Sequence, residues 1–167
     1  MKITIAERQP VKVACLRYTG PFGEPLGRFW RNLVAPRLAD HGLLDCPRYG
    51  VALDNPEIAG IDQCRYDACV ELPAGLSLPD ACETTIPGGR FAVTSFKGTS
   101  AGIGAGWAEF IAAVLGDPAN RIDARRHPYE HYPRGAAFDA RTGVFSCELC
   151  LPLTEVTMTA GREEKIR

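Results

Sequence analysis

No stretch of the chain is apolar for long enough to cross a bilayer, and the opening "MKITIAERQP" lacks the hydrophobic run of a secretion signal, so a cytoplasmic protein is expected. A basic excess is also missing. With a formal net charge of −1, the chain lacks the lysine and arginine surplus on which nucleic-acid binding draws, so any DNA role is expected to run through a protein partner. The seven cysteines (Cys15, Cys46, Cys64, Cys69, Cys82, Cys147, Cys150) are an odd set without framework spacing. Scattered through apolar segments, they are expected to be free thiols packed as small hydrophobes. No linker or low-complexity tract divides the 167 residues, and a composition of 46% hydrophobic and 23% charged suits one domain over 1–167.

What the chain does contain is an internal duplication. With "VACLRYTGPFGEPLGRFWRNLV" from Val13 laid on "FAVTSFKGTSAGIGAGWAEFIA" from Phe91, Ala14 meets Ala92, Tyr18 meets Phe96, Gly20 meets Gly98, Phe29 meets Trp107 and Leu33 meets Ile111. Each copy reads as strand, glycine turn and helix. The helical stripes are Leu26, Phe29, Trp30, Leu33 and Val34 in the first copy, and Ile103, Trp107, Phe110, Ile111 and Val114 in the second. Pro36 lacks an amide donor and should kink or restart the first helix, and Gly42 suits its stop.

Two extended segments follow each helix: "RYGVALDNP" and "CRYDACVEL", then "PYEHYP" and "VFSCELCLPL". "ITIAE" and "CETTI" add a lead strand to each half. The expected fold is therefore α+β: a strand-helix-strand-strand module used twice, over about 12–75 and 90–153, with about eight mainly antiparallel strands and two helices.

"HPYEHYP" carries the candidate chemistry. Its prolines favour extended backbone, so Glu130 shares a face with Tyr132 while Tyr129 and His131 point the other way. A carboxylate buried among aromatic faces would suit an organic cation, because the charge and the ring quadrupoles act together. A solvent-facing glutamate on an edge strand is the plainer alternative. Glu148 lies opposite the face of Phe145, Cys147, Leu149 and Leu151, which makes it a surface or cross-strand partner rather than a second catalytic acid.

Other patterns lead less far. His127, Glu130 and His131 look like metal ligands, but a His-x3-His pair aligns only on a helix and Pro128 opposes one. Cys147 and Cys150, three apart on a strand, point to opposite faces, so no metal is expected. "GTSAGIGAGW" places Trp107 where a dinucleotide fingerprint needs its third glycine, and no cofactor is expected. Its glycines instead leave the helix start thin, so that Trp107 can lean over a cavity. Cys15 reads as core packing, and Arg121, Arg125 and Arg126 as a solvated basic loop.

The doubled module, with "YTGPF", "VALDNP", "CRYDACVEL", "IPGGRFAVTSFKG" and "PYEHY" in this order, resembles the GyrI-like domain, also found as the effector-binding domain of AraC-type and MerR-type multidrug-responsive regulators. The similarity runs from Ile3 to about Leu153. It implies a pseudo-twofold fold with a ligand cleft where the modules join. The family's glutamate in its Phe/Tyr-Glu-x-Tyr pattern maps onto Glu130, and the pattern's aromatics onto Tyr129 and Tyr132. Phe22, Tyr49, Tyr66 and Trp107 are the further candidates to line the cleft. The chain opens directly on the first strand, so it resembles the stand-alone members, and direct operator binding is not expected.

The resemblance implies a binder that sequesters amphipathic, cationic aromatic compounds. It also implies two alternatives: a hydrolase of electrophilic, cyclopropane-containing genotoxins in which Glu130 activates water, and an inhibitor that contacts DNA gyrase.

Overall fold

The computed structural model describes residues 1–155. Nine strands form one curled sheet: β1 (Thr4–Arg8), β2 (Val11–Thr19), β3 (Arg48–Ala52), β4 (Arg65–Glu71), β5 (Cys82–Ile86), β6 (Gly89–Gly98), β7 (Tyr129–Tyr132), β8 (Phe138–Asp139) and β9 (Val144–Pro152). All pairs are antiparallel, in the order β1-β6-β9-β7-β3-β4-β2-β5, with β8 attached to β9. The order reads the same from both ends, which is the expected pseudo-twofold, and the two halves meet where β7 pairs with β3.

The lead strands do not stay with their own halves. Strand β1 pairs with β6, from Thr4↔Val93 to Arg8↔Gly89, and β5 pairs with β2, from Val11↔Ile86 to Cys15↔Cys82. Each half thus donates its lead strand to the other. The two connections touch where Gly88 lies against Pro10 and the Arg8 carbonyl, too close for any side chain.

The first helix differs from the simple stripe expected of it. Helix α1 (Glu24–Phe29) runs through a π-helical turn, Trp30–Val34, into α2 (Ala35–Asp40). The Ala35 amide bonds to the Trp30 carbonyl, five residues back, and Pro36 then occupies the first turn of α2, where its missing donor costs least. The wider turn shifts the phase of the helix. Leu26, Val34 and Leu38 are buried, whereas Leu33, expected on the apolar stripe, is 43% exposed. Gly42, in the left-handed region at φ 68°, follows the helix end as expected. A short α3 (Pro56–Ala59), capped by the Asn55 side chain, adds a third helix to the two expected. The last, α4 (Ile103–Leu115), buries Phe110 and Val114.

Both long helical segments cover the same face of the sheet. Ala14, Leu16, Tyr66, Ala68 and Val70 pack against α1 and α2, while Ala92, Cys147, Leu149 and Leu151 pack against α4. The opposite face lies inside the curl, where Val13, Cys15 and Ile86 from one end of the sheet meet Phe91 and Val93 from the other. Each large apolar side chain so buried contributes roughly 1.5–3 kcal/mol.

The expectation of free thiols throughout fails at one pair. Cys15 and Cys69 sit directly opposite on β2 and β4 and are joined as a disulfide. Sequence spacing could not show this, because 54 residues separate the two and only strand register brings them together. Cys46, Cys64, Cys147 and Cys150 are buried free thiols, and Cys82 is an exposed one. No helix among the described residues is long and apolar enough to cross a membrane.

Candidate ligand-binding site

At the junction of the halves, Gly50 on β3 is paired with Glu130 on β7, and Arg48 with Tyr132. Strand alternation turns all four toward the helix-covered face. Glu130 is only 7% exposed there. The Tyr66 hydroxyl, from β4, donates to its Oε2 at 2.6 Å, and the Tyr132 hydroxyl donates to the same oxygen at 3.1 Å. Trp107 Nε1, from α4, donates to Oε1 at 3.2 Å. Trp30, from the π-turn, completes the set by donating from Nε1 to the Tyr66 hydroxyl at 3.2 Å. Each helical cover thus sends one indole to the central carboxylate network.

Gly50 makes this arrangement possible. A Cβ at that position would collide with both the Tyr66 hydroxyl and Glu130 Oε2. The glycine is required here for space rather than for an unusual backbone conformation.

Above the carboxylate is a cavity of about 430 Å³ between α1 and α4. Phe22, Trp30, Tyr66, Trp107, Tyr132 and Phe145 form its aromatic wall. Trp30 and Tyr132 lie 5.7 Å apart between ring centroids, Phe22 and Tyr66 6.0 Å, and Tyr132 and Phe145 5.9 Å. Gly104, at the start of α4, lines the cavity, and a side chain there would meet open space, in keeping with the thin helix start expected of this segment.

Burial drives the electrostatics. It pushes the Glu130 carboxyl pKa upward, and hydrogen bonds from Tyr66, Trp107 and Tyr132 pull it part of the way back. Among the described residues no cation offsets the charge of Glu130. The Tyr66 and Tyr132 hydroxyls are driven well above their ordinary value, first by burial and then by the adjacent carboxylate, so they remain donors at neutral pH. Oε2 accepts two hydrogen bonds and Oε1 one, which leaves Oε1 with the greater spare accepting capacity.

The cavity therefore gathers five of the expected residues: Phe22, Tyr66, Trp107, Glu130 and Tyr132. Tyr49 is a correction. It lies on the opposite face, inside the curl, stacked on His131 at 5.0 Å and edge-on to Tyr129 at 5.8 Å, with its hydroxyl donating to Glu71 at 3.3 Å. Its neighbour Gly50 faces the cavity, so Tyr49 cannot. Trp30, Arg48 and Phe145 line the cavity without having been expected there. Trp30 was legible in part, as a member of the first helical stripe. The duplication matches Trp107 to Phe29, however, and the indole that plays the corresponding part is one residue further on.

Two outlying groups also resolve. Glu148 pairs with Arg8 at 2.9 Å and with His131 Nδ1 at 2.8 Å, away from the cavity, as a cross-strand partner. The basic loop is not uniformly solvated. Arg125 is exposed, but Arg126 lies over the Phe91 ring and donates to the carbonyls of Gly88, Arg90 and Leu153, tying the end of β9 to the crossover.

An aromatic cleft between two symmetric halves of a curled sheet, with one buried carboxylate at its floor, has the build of a small-molecule-binding domain. The chain belongs to the GyrI-like small molecule binding domain family, which it matches over residues 1–154. A DNA gyrase inhibitor from Escherichia fergusonii is 25% identical over 157 residues, covering 92% of this chain and 98% of that protein. SAV2435, in a structure bound to tetraphenylphosphonium, aligns with a TM-score of 0.66 at 14% identity, over 92% of this chain and 94% of that one. The EcmrR C-terminal domain aligns with a TM-score of 0.67 at 11% identity, over 93% of this chain and 98% of that one. At such identities the two structures attest to a shared fold.

Proposed function

We propose that this protein binds amphipathic, cationic aromatic compounds in the cleft, with Glu130 as the electrostatic anchor. The observation that carries the reading is a carboxylate held by three neutral donors at the floor of an aromatic cavity, with no cation among the described residues paired to it. A bound organic cation would supply that balance, and the surrounding rings would add cation–π attraction. Tetraphenylphosphonium, the ligand of SAV2435, is a compound of this kind and supports the reading. Isothermal calorimetry with tetraphenylphosphonium should show binding that weakens at least tenfold in Glu130→Gln. Equal affinity in the two proteins would remove the carboxylate's role.

The hydrolytic alternative uses the same group. Oε1, with its spare accepting capacity, would take a proton from water as the water oxygen bonds to a cyclopropane carbon, while the ring C–C bond breaks and its electron pair passes to the adjoining electron-withdrawing group, which is then protonated. Turnover of such a genotoxin that persists in Glu130→Gln would end this alternative. Gyrase inhibition has in its favour the name of the E. fergusonii relative, and a supercoiling assay with added protein tests it.

A further inference from the structure

Two arginines line the cleft, and they differ in how their charge is met. Arg31 is paired with Glu24 at 2.7 Å, on the rim. Arg48 extends from β3 on the same face as Gly50 and lies beside Tyr132, its guanidinium carbon 6.0 Å from the ring centroid. Its Nε is buried and has no hydrogen-bond partner among the described residues. Burial is the largest influence and lowers the Arg48 pKa, with Tyr132 and then Asp45 opposing it. The buried Nε has lost its hydration without gaining an acceptor, so the guanidinium charge is incompletely met, and a ligand acceptor at the terminal nitrogens would offset part of that cost.

Its place relative to Glu130 determines which ligand would do so. Arg48 is two residues along β3 from Gly50, the direct partner of Glu130, which puts the two charged positions roughly 7 Å apart along the strands. The aromatic rings of Tyr132 and Trp30 lie beside this span. We propose that the cleft is bipolar and selects zwitterionic amphipaths, in which an aromatic cation faces Glu130 and a carboxylate on a short arm pairs with Arg48. This rests on the reading of the cleft as the binding site and narrows its ligand class. Arg48 becomes a specificity-determining residue, since a ligand without an anionic arm leaves its guanidinium unmet.

A matched pair of dyes tests the proposal. One is an N-methyl styrylpyridinium cation; the other carries the same chromophore with an N-carboxypropyl arm. Both brighten when immobilised, so fluorescence titration reads their affinities directly. Wild type should bind the carboxylate dye about tenfold or more tightly than the methyl dye, as a charge-assisted hydrogen bond in a partly desolvated site would give. Arg48→Met should lose that preference while still binding the methyl dye, and Arg48→Lys should keep part of it. Should Arg48→Met fail to fold, the wild-type comparison and Arg48→Lys still decide.

If wild type binds the methyl dye as tightly as the carboxylate dye, or if the preference survives in Arg48→Met, the bipolar cleft is wrong while the cation-binding reading stands. If wild type binds neither dye, both fall together.

Discussion

The Tyr66 hydroxyl reaches Glu130 Oε2 at 2.6 Å through space that exists only because residue 50, between them on β3, has no side chain. Tyr66 comes from one half of the duplicated fold and Glu130 from the other, so this hydrogen bond joins the halves at the floor of the cleft. Gly50→Ala should force the pair apart. The expected cost is about 1–3 kcal/mol of stability from overpacking, together with loss of tetraphenylphosphonium binding. Chemical denaturation and calorimetry on the same variant check both parts.

The raised pKa of Glu130 has a consequence for stability. Because the folded state holds the proton more tightly than the unfolded chain does, the stabilising contribution is full below the ordinary value of 4.5 and is lost as pH rises through the folded value. Wild type should therefore lose stability over that interval relative to Glu130→Gln, which cannot titrate there. The wild-type denaturation midpoint should fall relative to that of Glu130→Gln as pH rises above 4.5; parallel curves would contradict the burial argument.

The three donors to the carboxylate should not count equally. Tyr66 makes the shortest contact, Trp107 is the one donor to Oε1 among the described residues, and Tyr132 shares Oε2 with Tyr66. Replacement by phenylalanine should raise the Glu130 pKa most at Tyr66, next at Trp107 and least at Tyr132. Titration of the carboxyl carbon by NMR reads the order.

The cross-strand disulfide can be tested chemically. Alkylation of the denatured, unreduced protein should label five of the seven cysteines and spare Cys15 and Cys69, as mass spectrometry would show. Reduction should lower stability by about 2–4 kcal/mol, the usual range for a cross-link closing a loop of this size.

Much of the architecture was legible because it depends on periodicity within one segment. The stripe of α4 and the alternation that puts Glu130 with Tyr132, and Tyr129 with His131, are properties of a single helix or strand. The separation of Cys147 from Cys150 follows in the same way. Such patterns state which residues share a face. They do not state which face of one strand meets which face of the next. That depends on register, and a shift by one residue reverses it.

The residues misread or missed lie beyond that limit or where a helix departs from regular spacing. Tyr49 is a cleft candidate only through the resemblance, by type and rough position, whereas pairing of Gly50 with Glu130 turns it into the curl. Leu33 left the apolar stripe, and Trp30 took the part that the duplication assigns to Phe29, in a helix whose π-turn before Pro36 is a local departure from regular spacing. The exchange of lead strands and the joining of Cys15 to Cys69 need partners far apart along the chain. Local backbone geometry is enough for the doubled module, the helix faces and the placing of a glutamate with a tyrosine on one side of a strand. That this side is the floor of a cavity, that Gly50 opens it, and that Arg48 stands within it unpaired among the described residues are relations between strands far apart in the chain, which come into contact only on folding.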